Sequence, residues 1–147
     1  KLVGMVVTER NVTAKQAATV PWGEGMGHVF LNIMVKKYSD GTIDGHINIG
    51  KAPDNMKSYC FEFVSADFSG NTAVIIGWFH QAGFADPVLE RWTLIDNGEP
   101  AIGKSMINIE FYILPPDVYD GWYSIFGLGS GPVYLINHAV IKVYSGS

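Results

Sequence analysis

Eight polar residues sit inside segments that otherwise read as β-strands: Asn32, His46, Asn48, Glu62, His80, Asn108, Glu110 and His138. Carboxyls and imidazoles move protons, so Glu62 or Glu110 is a candidate general acid, with His80 or His46 as base. Inside a closed sheet these groups would meet Phe30, Trp78 and Tyr112. An apolar cavity with a few converging polar groups is the usual form of a small-molecule site. Burial there would raise a carboxyl pKa and hold it protonated. If the same strand faces look outward, they form an ordinary solvated surface. Alternation alone does not distinguish the two, because the opposite faces are also partly apolar.

Other chemistries lack their signatures. No two of His28, His46, His80 and His138 stand two or four residues apart, so no local zinc motif exists and no metal is expected. Ser-His-Asp order, a CxxC pair and a phosphate loop are missing, and Gly127–Gly131 does not lead from a strand into a helix. The single cysteine, Cys60, lies in the apolar run Tyr59–Val64 and reads as a buried, inert thiol. No cofactor is implied. Tyr119, Trp122, Tyr123 and Phe126 cluster in a Gly-rich stretch that either caps the sheet or presents a platform for a sugar or partner.

The elements that must position these residues are strands. His28–Val35 alternates strictly, Ser39-Asp40-Gly41 supplies a turn, and Thr42–Ile49 returns, which predicts a β-hairpin. Further strands are expected at Leu2–Val7, Ser58–Ala66, Thr72–His80, Val88–Ile95, Ser105–Leu114 and Pro132–Tyr144, with a short one around Tyr123–Phe126. Residues 11–26 are mixed, with a helical possibility at Ala14–Ala18. The fold class expected is all-β: an antiparallel β-barrel or strongly coiled sandwich of about eight or nine strands. One domain spans 1–147, divided into an N-terminal strand with irregular connection (1–26) and the main barrel (27–147).

Composition agrees. Hydrophobic residues make up 48% and charged ones 16%, which excludes disorder. A net charge of −4 with Lys36-Lys37 as the sole basic doublet argues against nucleic acid. Apolar runs such as Ala73–Phe79 are far too short for a membrane-spanning helix, so no transmembrane segment is expected. The start at Lys1 without a leader suggests a removed export signal or a start chosen for expression.

Two runs are more word-like: Ser69-Gly70-Asn71-Thr72-Ala73-Val74-Ile75-Ile76-Gly77 and Leu94-Ile95-Asp96-Asn97-Gly98-Glu99-Pro100. With Asp40-Gly41 and Gly45-His46 upstream, they resemble the post-COAP domain, a small β-domain of exported archaeal and bacterial proteins. The resemblance covers His28–Phe111 and implies an extracellular β-domain without catalytic residues to carry over. Ala101 and Lys104 depart from that family's glycine and aspartate. Read from the residues, Asp96-Asn97-Gly98 is a hairpin tip with an Asx-turn, and a hard-cation site at Asp96 and Glu99 is the alternative that turn chemistry outweighs.

The leading expectation is therefore an exported domain that binds a ligand or assembles with its own copies, Leu2–Val7 being a candidate for strand exchange. The alternative resembles allene oxide cyclase and other cyclase-like small barrels. It is a cofactor-independent enzyme with Glu62, Glu110 and His80 acting on a small apolar molecule. Ligand contacts would come from Phe30, Asn32, His46, Trp78, Tyr112, Trp122 and Tyr123.

Overall fold

The computed structural model describes residues 1–8, 18–19, 28–51, 56–81, 83–98, 105–113, 121–124, 133–134 and 141–146. Among them the strands are β1 (Leu2–Thr8), β2 (Ala18–Thr19), β3 (His28–Tyr38), β4 (Ile43–Lys51), β5 (Met56–Ser69) and β6 (Thr72–His80). They continue with β7 (Val88–Ile95), β8 (Met106–Ile113), β9 (Gly121–Ser124), β10 (Val133–Tyr134) and β11 (Ile141–Tyr144). The chain is all-β, and its strands make one antiparallel sheet in the order β10-β8-β7-β6-β5-β4-β3-β1-β11. β2 adds to β3 and β9 adds to β8. Backbone pairing among the described residues does not close this sheet into a barrel.

The expected hairpin forms as read. β3 and β4 pair from Val29 opposite Lys51 to Lys37 opposite Ile43. The Asp40 carboxylate accepts the Thr42 amide at 2.9 Å in the turn, and these Thr42 hydrogen bonds hold its pKa below the usual value. β6 and β7 have the bounds expected for them. The segment Pro132–Tyr144 differs from expectation. It supplies two short strands at opposite ends of the sheet, β10 on β8 and β11 on β1. Apolar periodicity marks both pieces and carries no information about which neighbour each one pairs with.

One face of the sheet is the core. Val6, Ile33, Val35, Ile47, Ala66, Ala73, Ile75, Phe79, Trp92, Leu94, Ile107, Ile109 and Ile141 are all buried. They alternate with residues on the other face in the way the pleat requires. Coiling brings the ends of the sheet together: β1 touches β5, where the Phe68 ring lies over Gly4, and β11 touches β7. A β-branched and aromatic face this continuous has to be covered on its own side, and the sheet achieves that by curling onto itself.

The two word-like runs meet at this seam. The Asn71 side-chain amide donates to Asn97 Oδ1 at 2.8 Å, and the Asp96 amide donates to the Asn71 carbonyl at 2.9 Å. Gly98 adopts φ 98°, and its amide donates to Asp96 Oδ1 at 3.0 Å, the expected Asx-turn. Asp96 Oδ2 accepts the Val143 amide of β11 at 3.1 Å, and the Ser145 hydroxyl donates to the Gly70 carbonyl at 2.7 Å. A carboxylate thus ties the last strand down where no ladder bond does. Glu99, Ala101 and Lys104 lie outside the described residues.

Candidate functional site

The pleat assigns most of the sequence-selected residues to one face, and it is the face opposite the core. Asn32 on β3 pairs with Asn48 on β4, Asn48 with Tyr59 on β5, and Tyr59 with His80 on β6. All four are exposed. Register therefore sets Asn32, Asn48, Tyr59 and His80 in a row straight across four strands, about 14 Å long at roughly 4.8 Å per strand. His46 flanks the row, its Nε2–H donating to Asn32 Oδ1 at 3.0 Å. The Tyr59 and His80 rings lie 5.3 Å apart at 32°. The row holds no carboxylate, lysine or arginine.

A second cluster lies on the same face further along the sheet. Arg91 Nε and Nη2 each donate to one Glu110 carboxylate oxygen at 2.8 Å, a bidentate pair. Hydrogen bonding to that carboxylate pushes the Arg91 pKa up, against the opposing effect of partial burial. The guanidinium carbon lies 4.5 Å from the centroid of the Trp122 ring, and Tyr112 meets Trp122 edge-on at 5.2 Å. Trp78, also on this face, is half-buried opposite exposed Glu62.

These placements change the expected constellation. Glu62, Glu110 and His80 do not converge in an interior: Glu62 stands exposed beside Trp78, Glu110 is engaged by Arg91, and His80 lies at a tilt against Tyr59. Trp122 pairs with Tyr112 and Tyr123 with Phe111, so the two neighbouring rings point to opposite faces and share no platform. Phe30 is placed in β3 opposite Gly50 and has no described side chain, while His138 lies outside the described residues. Among the described residues, no three His, Cys, Asp or Glu side chains gather as a metal site. Asp96 already spends both oxygens on backbone amides.

No family model, curated protein or solved structure matches this chain. The site has to be read from its own residues.

Sequence reasoning missed Tyr59 and Glu90. Tyr59 was absorbed into an apolar run, although its parity along β5 puts it opposite His80. Glu90 is the carboxyl that the interior does contain, 1% exposed between Gly77 on β6 and Phe111 on β8. Burial pushes its pKa to about 8 against the opposing effect of a hydrogen bond from Trp92 Nε1 to Oε1 at 3.0 Å. Its parity matches Trp92 and Leu94, which was the available signal. Cys60 is half-buried, donates to the Glu62 carbonyl at 3.5 Å, and has a pKa pushed to about 11 chiefly by burial. That agrees with the inert thiol expected.

Proposed function

We propose that this chain is an exported binding domain whose ligand lies along the outer-face row Asn32–Asn48–Tyr59–His80. The observation that carries the reading is the register that sets two amides, a phenol ring and an imidazole side by side on an exposed sheet face. Amides and imidazoles offer donors and acceptors together, and Tyr59 offers a flat apolar ring at 45% exposure. A row of two amides, a phenol and an imidazole, without carboxylate, lysine or arginine, suits a neutral hydroxylated chain, which makes a polysaccharide the best fit. Among the described residues no lysine or arginine cluster stands on the row to draw an anionic ligand. The sheet itself fits a coiled sandwich better than a barrel, since β1 packs over β5 and, among the described residues, the Asp96 carboxylate rather than a ladder joins β11 to the end of β7.

Affinity electrophoresis in gels holding a neutral glucan, mannan or xylan tests this. Retardation by one of them, lost in Tyr59→Ala and Asn48→Ala, is expected. Unretarded migration in all three, or retardation that survives both substitutions, contradicts it.

A second reading, assembly with copies of this chain, draws on β5. Two bulges there leave Phe61 and Val64 at 54% and 53% exposure, and β4 pairs with β5 only from Asn48 to Lys51. Strand exchange through Leu2–Val7 draws no such support, because β1 is already paired by β3 and β11. Light scattering that gives one monomeric mass across a hundredfold concentration range would remove assembly.

A further inference from the structure

The seam between the two turns holds a reactive pair, independent of the outer-face row. Asn97 alone among the eight asparagines of the sequence precedes a glycine. In an Asn-Gly pair the glycine amide nitrogen can attack the asparagine side-chain carbon, because no Cβ shields it. The N–Cγ bond forms, the Cγ–Nδ2 bond breaks, and ammonia leaves with the Gly98 amide proton. Water then opens the five-membered imide to aspartate or isoaspartate at position 97. Asn97 and Gly98 are both exposed, and a Cβ at Gly98 would meet nothing within 4 Å, so water reaches the pair.

Both reacting groups are restrained. Asn97 Oδ1 accepts the Asn71 side-chain amide at 2.8 Å, which anchors the carboxamide to the turn between β5 and β6. The Gly98 N–H, whose proton must leave, donates to Asp96 Oδ1 at 3.0 Å. The Asn97 backbone amide donates to Ser105 Oγ at 3.2 Å, which fixes the peptide ahead of the side chain. Attack has to draw the carboxamide away from Asn71 and the Gly98 amide off Asp96. Its anionic intermediate would also form beside the Asp96 carboxylate, where like charge opposes it. The turn therefore holds back its own reactive pair.

We propose that Asn97 is a self-modification site gated by the seam: it stays an amide while Asn71 and Asp96 hold the pair, and deamidates when they let go. Conversion is one-way. A second carboxylate beside Asp96, or the extra backbone methylene of isoaspartate, displaces the Gly98 amide from Asp96 Oδ1. Asp96 holds Val143 of β11 through its other oxygen, so the converted seam binds the last strand less firmly.

Intact-mass and peptide-mapping time courses at neutral pH follow conversion of the Asn97 amide to acid. Removing one neutral hydrogen bond in Asn71→Ala is expected to speed it about fivefold, and removing the charged acceptor in Asp96→Ala about tenfold. The chain unfolded in urea lacks both restraints and is expected to convert on the order of fiftyfold faster than the folded one. Ser145→Ala loses another bond of the same seam, to the Gly70 carbonyl, without touching Asn97 or Gly98, and is expected to keep the wild-type rate. Converted protein, separated by ion exchange, is expected to unfold at lower urea than the unconverted form. Equal rates in the folded and urea-unfolded chain, a wild-type rate in Asn71→Ala, or equal acceleration in Ser145→Ala and Asn71→Ala overturns the proposal. So does a urea midpoint that conversion leaves unchanged. If Asp96→Ala does not fold, the comparison of Asn71→Ala with Ser145→Ala decides alone.

Discussion

Asp96 Oδ2 accepts the backbone amide of Val143 at 3.1 Å, and this bond joins the end of β7 to the last strand of a sheet that its ladders leave open. The other oxygen of the same carboxylate holds the turn at Gly98. Asp96→Ala is expected to lose both bonds and to lower stability by about 2–3 kcal/mol, since a charged acceptor is worth more than a neutral one. Asn71→Ala removes a neutral bond to Asn97 and is expected to cost about 1 kcal/mol. Urea titrations monitored by tryptophan fluorescence measure both. An Asp96→Ala midpoint equal to wild type would show that β11 is held by its pairing with β1 alone.

Glu90 makes stability depend on pH. Its folded pKa of about 8 stands above its ordinary value of 4.5, so the folded chain keeps a proton that the unfolded chain has released. Folding takes up that proton between those two values. The contribution is therefore fully present below about 4.5, declines as pH rises, and is lost above about 8. At about 1.36 kcal/mol per pH unit the whole change is on the order of 5 kcal/mol. Thermal unfolding at pH 5 and pH 8.5 should show the drop in wild type and lose it in Glu90→Gln. A drop of equal size in both proteins would place its origin elsewhere.

Gly77 is required by close approach. A Cβ at this position would stand 2.7 Å from Cys60 Sγ and 2.8 Å from the Glu62 carbonyl oxygen. Gly77→Ala is expected to destabilise by about 1–3 kcal/mol through overpacking. Cys60→Ala removes only the first of the two clashes, so the double variant should recover part of that loss. Full recovery would mean that the backbone contact with Glu62 yields freely.

Arg91 and Glu110 form the best-organised polar pair on the outer face, bidentate and half shielded by Trp122. A double-mutant cycle through Arg91→Met and Glu110→Gln should give a coupling of about 1 kcal/mol, weakening in high salt. A coupling near zero would reduce the pair to a solvated contact.

Strand content was legible because Thr72–His80 and Val88–Ile95 are short runs rich in β-branched and aromatic residues between turn or loop segments. The turn at Asp96-Asn97-Gly98 was legible because its residue types have few other uses. Register was not. Two bulges in β5 shift its pairing with β6, so the face on which Glu62 lies depends on backbone irregularities that leave no composition signal. The row through Tyr59 was hidden because that ring sits in an apolar run and its cross-strand partners follow only from the pairing. Glu90 escaped notice because a carboxyl at an inward position is easily counted as an outward one.

The outer-face row is tested most directly by chemical-shift mapping of a soluble oligosaccharide from whichever neutral polysaccharide retards the protein. Saturable shifts at the Asn32 and Asn48 side-chain amides and the His80 imidazole are expected, with the Trp92 indole N–H unmoved. Shifts confined to the interior around Trp92, or none at saturating oligosaccharide, would contradict the claim that this face binds the ligand.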